Sequence, residues 1–425
     1  MKHYFETDRP IFVARAPGRL DLMGGNADYT GGLVFQATIR EGTRAAVQVR
    51  ADDAIVLINP QLSDHRIEFH LADMTSDDAV RALVKPIPWT AYVLGVFHFL
   101  REKRGATVYI ESNVPQNKGV SSSAAVEVAV MKAAAAAYGV PLGGIELAES
   151  CQWVENVIAQ SPCGVMDQAA VVLGEEGCVM PLLCQPCCPY PLVHLPDQLE
   201  CRAIDSGIRH SVAGLACETA RAAAFMAYKM ICDWEQLPVS YDDSRFIPRY
   251  KDSRWNGYLS NLTPSIFRSH FENRLPEFLS GAEYRNTHVD PFTPLRPEVV
   301  YPVRAAARYA VEENQRVRLF IELAKGSTGF ESMGELMYQS HYAYTECGLG
   351  CEATDYLVEL VRSEGLYGAK MTGGGAGGTV AVLCHKGSDE AFNRVVERYR
   401  EHSGSMPYVF QGSSPGADRH GVETI

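Results

Sequence analysis

The pattern of apolar and polar positions divides the chain into a strand-rich first part and a helix-rich second part. Ile11 to Ala14 is a short apolar run that leads into the turn at Pro17 and Gly18. Leu33 to Ile39 and Ala45 to Val49 alternate as strands, Ile55 to Leu57 and Ile67 to Phe69 read as edge pieces, and Thr107 to Ile110 is a further strand. Trp89 to Leu100 repeats its apolar residues at helical spacing, just after the stop formed by Pro86 and Pro88. Ile145 to Ile158 is again helical, whereas Val171 to Leu183 and Cys201 to Asp205 return to strand character. From a boundary at Arg209 to Gly214 the pattern turns helical, with Glu218 to Trp234, Pro264 to Leu275, Val303 to Ala324 and Phe330 to Tyr344 as the main segments. Thr263 and Pro264 form a start signal, a cap followed by proline at the first helical position. Gln236 to Ser260 is polar and aromatic without a period and reads as a loop-rich connection. A strand at Thr379 to Cys384 and a helix at Asp389 to His402 follow, so the expected fold class is α+β, with domains 1–210 and 211–425.

One stretch carries more than structure. Val114 to Gly139 reads VPQNKGVSSSAAVEVAVMKAAAAAYG, a turn with Gly119, three serines and then an alanine-rich helix without a breaker. The first turn of a helix has backbone N–H groups with no internal partner, and the macrodipole adds positive potential there. Three hydroxyls at that point suit a phosphate, although the same serines would also serve as ordinary caps. Near the C-terminus, AKMTGGGAGGTVAVL at Ala369 to Leu383 packs glycines ahead of a strand. A Rossmann fingerprint needs the strand first and the helix after, so these glycines instead let the backbone approach another loop or a phosphate.

Composition narrows the partners. A net charge of −12 and a pI near 5.5 argue against nucleic acid and against an anionic membrane. No apolar run approaches the length of a membrane span, and MKHYFETDRP has no apolar leader core. Twelve cysteines without a leader point to reduced thiols in the cytoplasm. The cluster Cys178, Cys184, Cys187 and Cys188 contains one CxxC, short of the four spaced ligands of a zinc site.

Together with the serine stretch and the glycine-rich stretch, ARAPGRLDLMGGNADYTGG at Ala14 to Gly32 resembles the three ordered motifs of the galactokinase, homoserine, mevalonate and phosphomevalonate kinase (GHMP) superfamily. ENVIAQSPCGVMDQ at Glu155 to Gln168 is similar to the active-site segment of galactokinases. The segment Gly24-Gly25-Asn26-Ala27-Asp28-Tyr29 resembles the GG-x-ADY of L-arabinokinases, where galactokinases carry GEHTDY, and IDSGIRHSV and GSSPGA look like the same subgroup. The resemblance implies an N-terminal domain related to ribosomal protein S5 domain 2, a ferredoxin-like C-terminal domain, and an active site between them. It also implies ATP and Mg²⁺ as cofactors and a small sugar as the other substrate, in a monomer or homodimer.

Carried over residue by residue, the resemblance assigns Asp167 as the catalytic carboxylate and Arg19 as its paired cation. ATP falls to Gly119, Val120, Ser121, Ser122, Ser123, Ala124, Gly374 and Gly375, with Trp89 near the adenine. Ser123 and Glu155 would hold the metal, since magnesium prefers hard oxygens and keeps several waters. Asp28, Asn26, Gly25, Gly164 and Cys217 would line the sugar site. The replacement of Glu-His by Gly25-Asn26 removes groups lying at the exocyclic end of galactose, which points to L-arabinose. It also leads to the expectation that Gly25→Glu with Asn26→His gains galactose activity. The competing readings are a galactokinase or uronic-acid 1-kinase of the same fold, and a non-catalytic sugar- and ATP-sensing regulator.

Overall fold

The computed structural model describes residues 1–63, 65–208, 213–238, 240–242, 249–290 and 293–425. The first sheet is built from β1 (Phe12–Met23), β2 (Leu33–Val49), β3 (Ala54–Ile58), β4 (Arg66–His70), β5 (Ala106–Ser112) and β6 (Cys178–Leu183). Their order is β1-β2-β5-β3-β4, and only β3 and β5 run parallel. At 17 residues β2 is long enough to serve two partners on one edge: Leu33–Ala37 pairs with β6 and Thr43–Val49 with β5. The two runs expected at Leu33 to Ile39 and Ala45 to Val49 are therefore one strand. Gly42 between them pairs with Pro17 of β1, and the register of the ladder shifts beside that pair, between Pro17 and Arg19.

Helices α1 (Asp77–Val84), α2 (Ala91–Leu100), α3 (Ser122–Tyr138), α4 (Gly144–Trp153) and α5 (Met166–Leu173) belong to this half. Ala124, Ala129, Ala133 and Ala134 of α3 are fully buried, and side chains this small let the helix lie close to β1 and β2. The run Val171 to Leu183, expected as strand, divides into the end of α5 and β6, with Gly174 and Gly177 between. Gly174-Glu175-Glu176-Gly177 divides the run, and the apolar residues on either side are too few to show a period that separates buried helix from buried strand.

The second sheet is antiparallel and consists of β7 (Leu199–Asp205), β8 (Gly368–Met371), β9 (Thr379–His385) and β10 (Val409–Gln411), in the order β8-β9-β7-β10. Helices α6 (Ala213–Trp234), α7 (Val303–Ala324), α8 (Phe330–Tyr344), α9 (Glu352–Ser363) and α10 (Asp389–Ser403) accompany it. Sheet membership crosses the 210/211 division in both directions. β7 lies before it, and the last strand, β11 (Val422–Thr424), returns to pair with β1. Residues 209–212 of the expected boundary lie outside the described residues, as do 239 and 243–248 of the expected connection. Within that connection Ser240–Asp242 pairs with Arg249–Lys251 as a short ribbon. Pro264 to Leu275 begins as expected, with Thr263 accepting from the Ile266 N–H, but widens at once into a π turn at Phe267–Phe271. Among the described residues no helix is long and apolar enough to cross a membrane.

Candidate active site

The start of α3 opens into a cleft of about 740 Å³ walled by both halves of the chain. Ser121, just before the helix, takes a left-handed φ of +59°, as does Asn117 at +58°. Its hydroxyl does not cap the helix. Ser121 Oγ instead donates to Asp167 Oδ2 at 2.5 Å. The loop is clamped by glycines that permit backbone-to-backbone contact. A Cβ on Gly18 would stand 2.6 Å from the Val120 carbonyl, and one on Gly373 2.7 Å from that of Gly119.

Arg19, at 2% exposure, joins this loop to α5. Its Nε and Nη2 donate to Asp167 Oδ1 at 2.9 and 2.6 Å, and its Nη1 donates to the Gly119 carbonyl at 2.7 Å. One cation thus orients the carboxylate and fixes the phosphate-facing loop together.

Glu155 reaches the same cleft because α4 does not end as a regular helix. It continues as a π turn, Val154–Ile158, whose wider pitch is often found at functional sites. Ser123 Oγ donates to Glu155 Oε1 at 2.8 Å, and Gln168 Nε2 donates to Oε2 at 2.5 Å. Burial, and then the charge of Asp167, raise the Glu155 carboxyl to about 7. Beneath it Glu127 is fully buried and raised well above the usual range by burial and by Glu155. Its Oε1 has no hydrogen-bond partner among the described residues. The Ser123 hydroxyl and the Glu155 carboxylate are hard oxygens at the cleft, the kind of donor that suits magnesium. Such an ion completes its shell with waters and phosphate oxygens rather than a cage of three carboxylates. Ser123 and Glu155 are the residues that would hold it.

Of the residues expected at the sugar site, or acceptor end, Gly25, Asn26 and Asp28 lie on the turn Gly25–Thr30, and Cys217 lines the cleft while those three and Gly164 do not. Asp28 is 6% exposed, and its Oδ1 accepts from the Tyr29 N–H at 2.6 Å. Gly164 is pressed against it, for a Cβ there would stand 2.0 Å from Asp28 Oδ2. Burial, and then the charge of Asp167, push the Asp28 carboxyl up to about 7. Asn26 Nδ2 donates to the Gly374 carbonyl at 3.4 Å, and Cys217 Sγ lies 3.9 Å from Asn26 Oδ1.

Gly25 corrects an expectation. Its φ is +43°, and a Cβ would stand 1.9 Å from Tyr344 Oη. That hydroxyl accepts from the Asn26 N–H at 2.8 Å and donates to the Gly373 carbonyl at 2.9 Å. The space left by a glutamate side chain is not empty, because a tyrosine from α8 fills it. Gly25→Glu therefore requires a strained backbone and Tyr344 to give up both of these bonds, so the double substitution is not expected to gain galactose activity by itself.

Arg19, Trp89, Gly119, Ser121, Ser122 and Ser123 line the cleft, as do Glu155, Asp167, Cys217 and Gly374. Trp89 sits in a short turn ahead of α2 rather than on the helix. Val120 and Ala124 are buried behind the loop, and Gly375 turns toward Leu349, 2.8 Å from where its Cβ would be. Sequence reasoning missed Tyr344, Glu127 and Gln168. It also missed the ion pair between Lys370 of β8 and Asp21 of β1, at 2.6 Å and with both side chains at 0% exposure. Asp21 Oδ1 also accepts from the Gly25 N–H at 3.0 Å, so the pair supports the acceptor turn from below.

The model for the GHMP kinases N terminal domain matches residues 91–175, and that for the GHMP kinases C terminal region matches 320–401. The galactokinase galactose-binding signature matches residues 2–49. This chain belongs to the GHMP kinase family. It is 37% identical to the L-arabinokinase of Arabidopsis thaliana over 99% of its own length and 47% of that protein, so it spans about half of this relative. It is 29% identical to the galactokinase of Chloroflexus aurantiacus, over 90% of the chain and 86% of that protein. Among solved structures, Lactococcus lactis galactokinase complexed with galactose superposes with a TM-score of 0.78 at 22% identity, covering 99% of this chain and 97% of that one. A mevalonate kinase superposes with a TM-score of 0.58 at 14% identity, covering 95% and 99%. At these identities the structural likeness speaks for the fold. The α+β GHMP kinase fold is the one the sequence motifs implied.

Proposed function

We propose that this chain transfers the γ-phosphoryl group of ATP to the anomeric hydroxyl of a monosaccharide, with L-arabinose as the acceptor. The observation that carries the proposal is the network of Arg19, Asp167 and Ser121 at the start of α3, beside the Ser123–Glu155 pair. Phosphoryl transfer needs little covalent help, so positioning and charge are what a protein must supply. The free N–H groups of α3 and the Ser122 hydroxyl bind the phosphates, since Ser121 and Ser123 already donate to Asp167 and Glu155. Asp167 receives the proton of the acceptor hydroxyl as the new O–P bond forms and ADP departs with the electrons of the broken bond. Arg19 stabilises charge on the transferring group. Magnesium, held by Ser123 and Glu155, would supply neutralisation of phosphate charge.

Support for arabinose comes from the identity to the plant L-arabinokinase and from Gly25-Asn26 backed by Tyr344. The galactokinase relatives make galactose the competing acceptor. The twelve cysteines, read as reduced thiols, support action in the cytoplasm. The test is kcat/KM with ATP for L-arabinose, D-galactose, D-galacturonate, D-glucuronate and D-fucose. L-Arabinose is expected to lead. A preference of tenfold or more for galactose or a uronic acid, about 1.4 kcal/mol at the transition state, overturns arabinose and leaves the sugar-kinase reading standing. No transfer to any sugar overturns both.

A further inference from the structure

Gly214, Cys217 and Arg221 stand at successive turns on one face of α6, with Arg221 beyond the lining of the cleft. Gly214 and Cys217 line the cleft. Arg221 is half-buried, and its guanidinium makes no hydrogen bond or ion pair with any described residue. Its Nε is fully buried without a partner. A guanidinium has five N–H donors, and leaving them unmatched away from water is costly. The group lies over two aromatic rings, with Cζ 5.9 Å from the centroid of Tyr29 and 5.3 Å from that of Phe225. Cation–π contact of this kind helps place the charge without using its N–H donors.

Asp28 is its counterpart. The charge of Arg221 acts on Asp28, Tyr29 and Cys217, which surround the acceptor end. Yet no ion pair closes between Arg221 and Asp28, and no other cation contacts the Asp28 carboxylate among the described residues. An unmatched donor and an under-solvated acceptor thus stand near each other without meeting. A ligand with hydroxyls on adjacent carbons supplies both of the missing partners: its O–H groups donate to the carboxylate and its oxygens accept from the guanidinium.

We propose that Arg221 is an acceptor-binding residue, donating to hydroxyl oxygens of a neutral sugar from the side opposite Asp28. The proposal rests on the sugar-kinase reading and adds a residue that none of the motifs contains. Arg221→Met and Arg221→Lys test it, with kcat, both KM values and the melting temperature measured for each. Arg221→Met is expected to raise the sugar KM about tenfold or more, with the ATP KM and the melting temperature unchanged. Arg221→Lys, which keeps the charge and loses the fork, is expected to fall between it and the wild type. Millimolar guanidinium is expected to restore part of the sugar affinity of Arg221→Met. A sugar KM within twofold of wild type overturns the proposal, as does a parallel loss of sugar binding, ATP binding and thermal stability. Loss in Arg221→Met of a wild-type preference for a uronic acid also overturns it, since the guanidinium would then be reading a carboxylate. If the wild type phosphorylates no sugar, the underlying reading fails with it.

Discussion

The two ends of the cleft are prepared to different degrees. At the phosphate end every acidic or cationic group facing the cleft already has protein partners. Asp167 takes hydrogen bonds from Arg19 and Ser121, and Glu155 takes them from Ser123 and Gln168. At the acceptor end Asp28 has only a backbone N–H of its own turn, and Arg221 has no described partner. The contrast teaches where each half of the binding energy goes. Charge that develops during transfer meets groups oriented beforehand, which costs no reorganisation at the moment of reaction. Recognition of the acceptor is left to groups that only a ligand can match, which is how a site discriminates by hydroxyl positions.

The largest effects should come from breaking the prepared end. Asp167→Asn is expected to lower kcat by about 10²–10⁴-fold with ATP affinity retained, since the amide oxygen can still accept from Arg19. Arg19→Ala should reduce turnover as severely and, unlike Asp167→Asn, weaken ATP binding, because it also releases the Gly119 carbonyl. Steady-state kinetics together with nucleotide titration separate the two. Near wild-type turnover in Asp167→Asn would remove this carboxylate from the mechanism. Next in size, Glu155→Gln should raise the magnesium concentration needed for half-maximal rate while the sugar KM stays put. An unchanged magnesium dependence would count against the metal assignment.

The acceptor turn gives a smaller and differently shaped response. Gly25→Ala should destabilise the protein by about 1–3 kcal/mol from overpacking against Tyr344, read as a lower melting temperature. Unchanged stability would show that Tyr344 can move aside, and the pocket would then be more adaptable than the Tyr344 contacts imply. Smallest near neutral pH is the titration of Asp28. Its carboxyl is raised to about 7, and a diol needs the ionised form to accept its hydrogens. Sugar affinity should therefore fall as pH drops below about 7, and Asp28→Asn should abolish that dependence. The stability contribution has the opposite sense. A raised carboxyl favours the folded state below its ordinary range and loses that contribution as pH climbs to about 7. Ligand-free protein should thus lose stability over that interval, more in the wild type than in Asp28→Asn.

The prepared end was the legible one. Ser121 to Ser123, Glu155 and Asp167 sit in two contiguous stretches, and local chemistry alone marks a helix start that suits phosphate. The acceptor end was legible only as a loss, Gly25 in place of a carboxylate. What replaced it comes from Tyr344, on a helix over three hundred residues away, and no local pattern announces such a contact. Asp21 and Lys370 are hidden for the same reason, each an ordinary strand residue until the two halves meet. Arg221 reads in sequence as one of several polar positions on an alanine-rich helix, and only the structure shows that its partner is missing. Misread elements follow the same division. Helices with clear periods are placed to within a few residues, whereas at Val171 to Leu183 the apolar pieces on either side of Gly174-Glu175-Glu176-Gly177 are too short to show that one ends α5 and the other is β6.

The most direct test of the whole account is the identity of the product. Wild-type protein with ATP, magnesium and L-arabinose, followed by ³¹P NMR, should yield ADP and a sugar phosphate in equal amounts, with the new phosphorus coupled to the anomeric proton. Asp167→Asn should yield both about 10²–10⁴-fold more slowly. Inorganic phosphate in place of a sugar phosphate, or phosphorus coupled to any other ring position, would contradict the assignment of Asp167, Arg19 and the serine loop to transfer onto the anomeric hydroxyl.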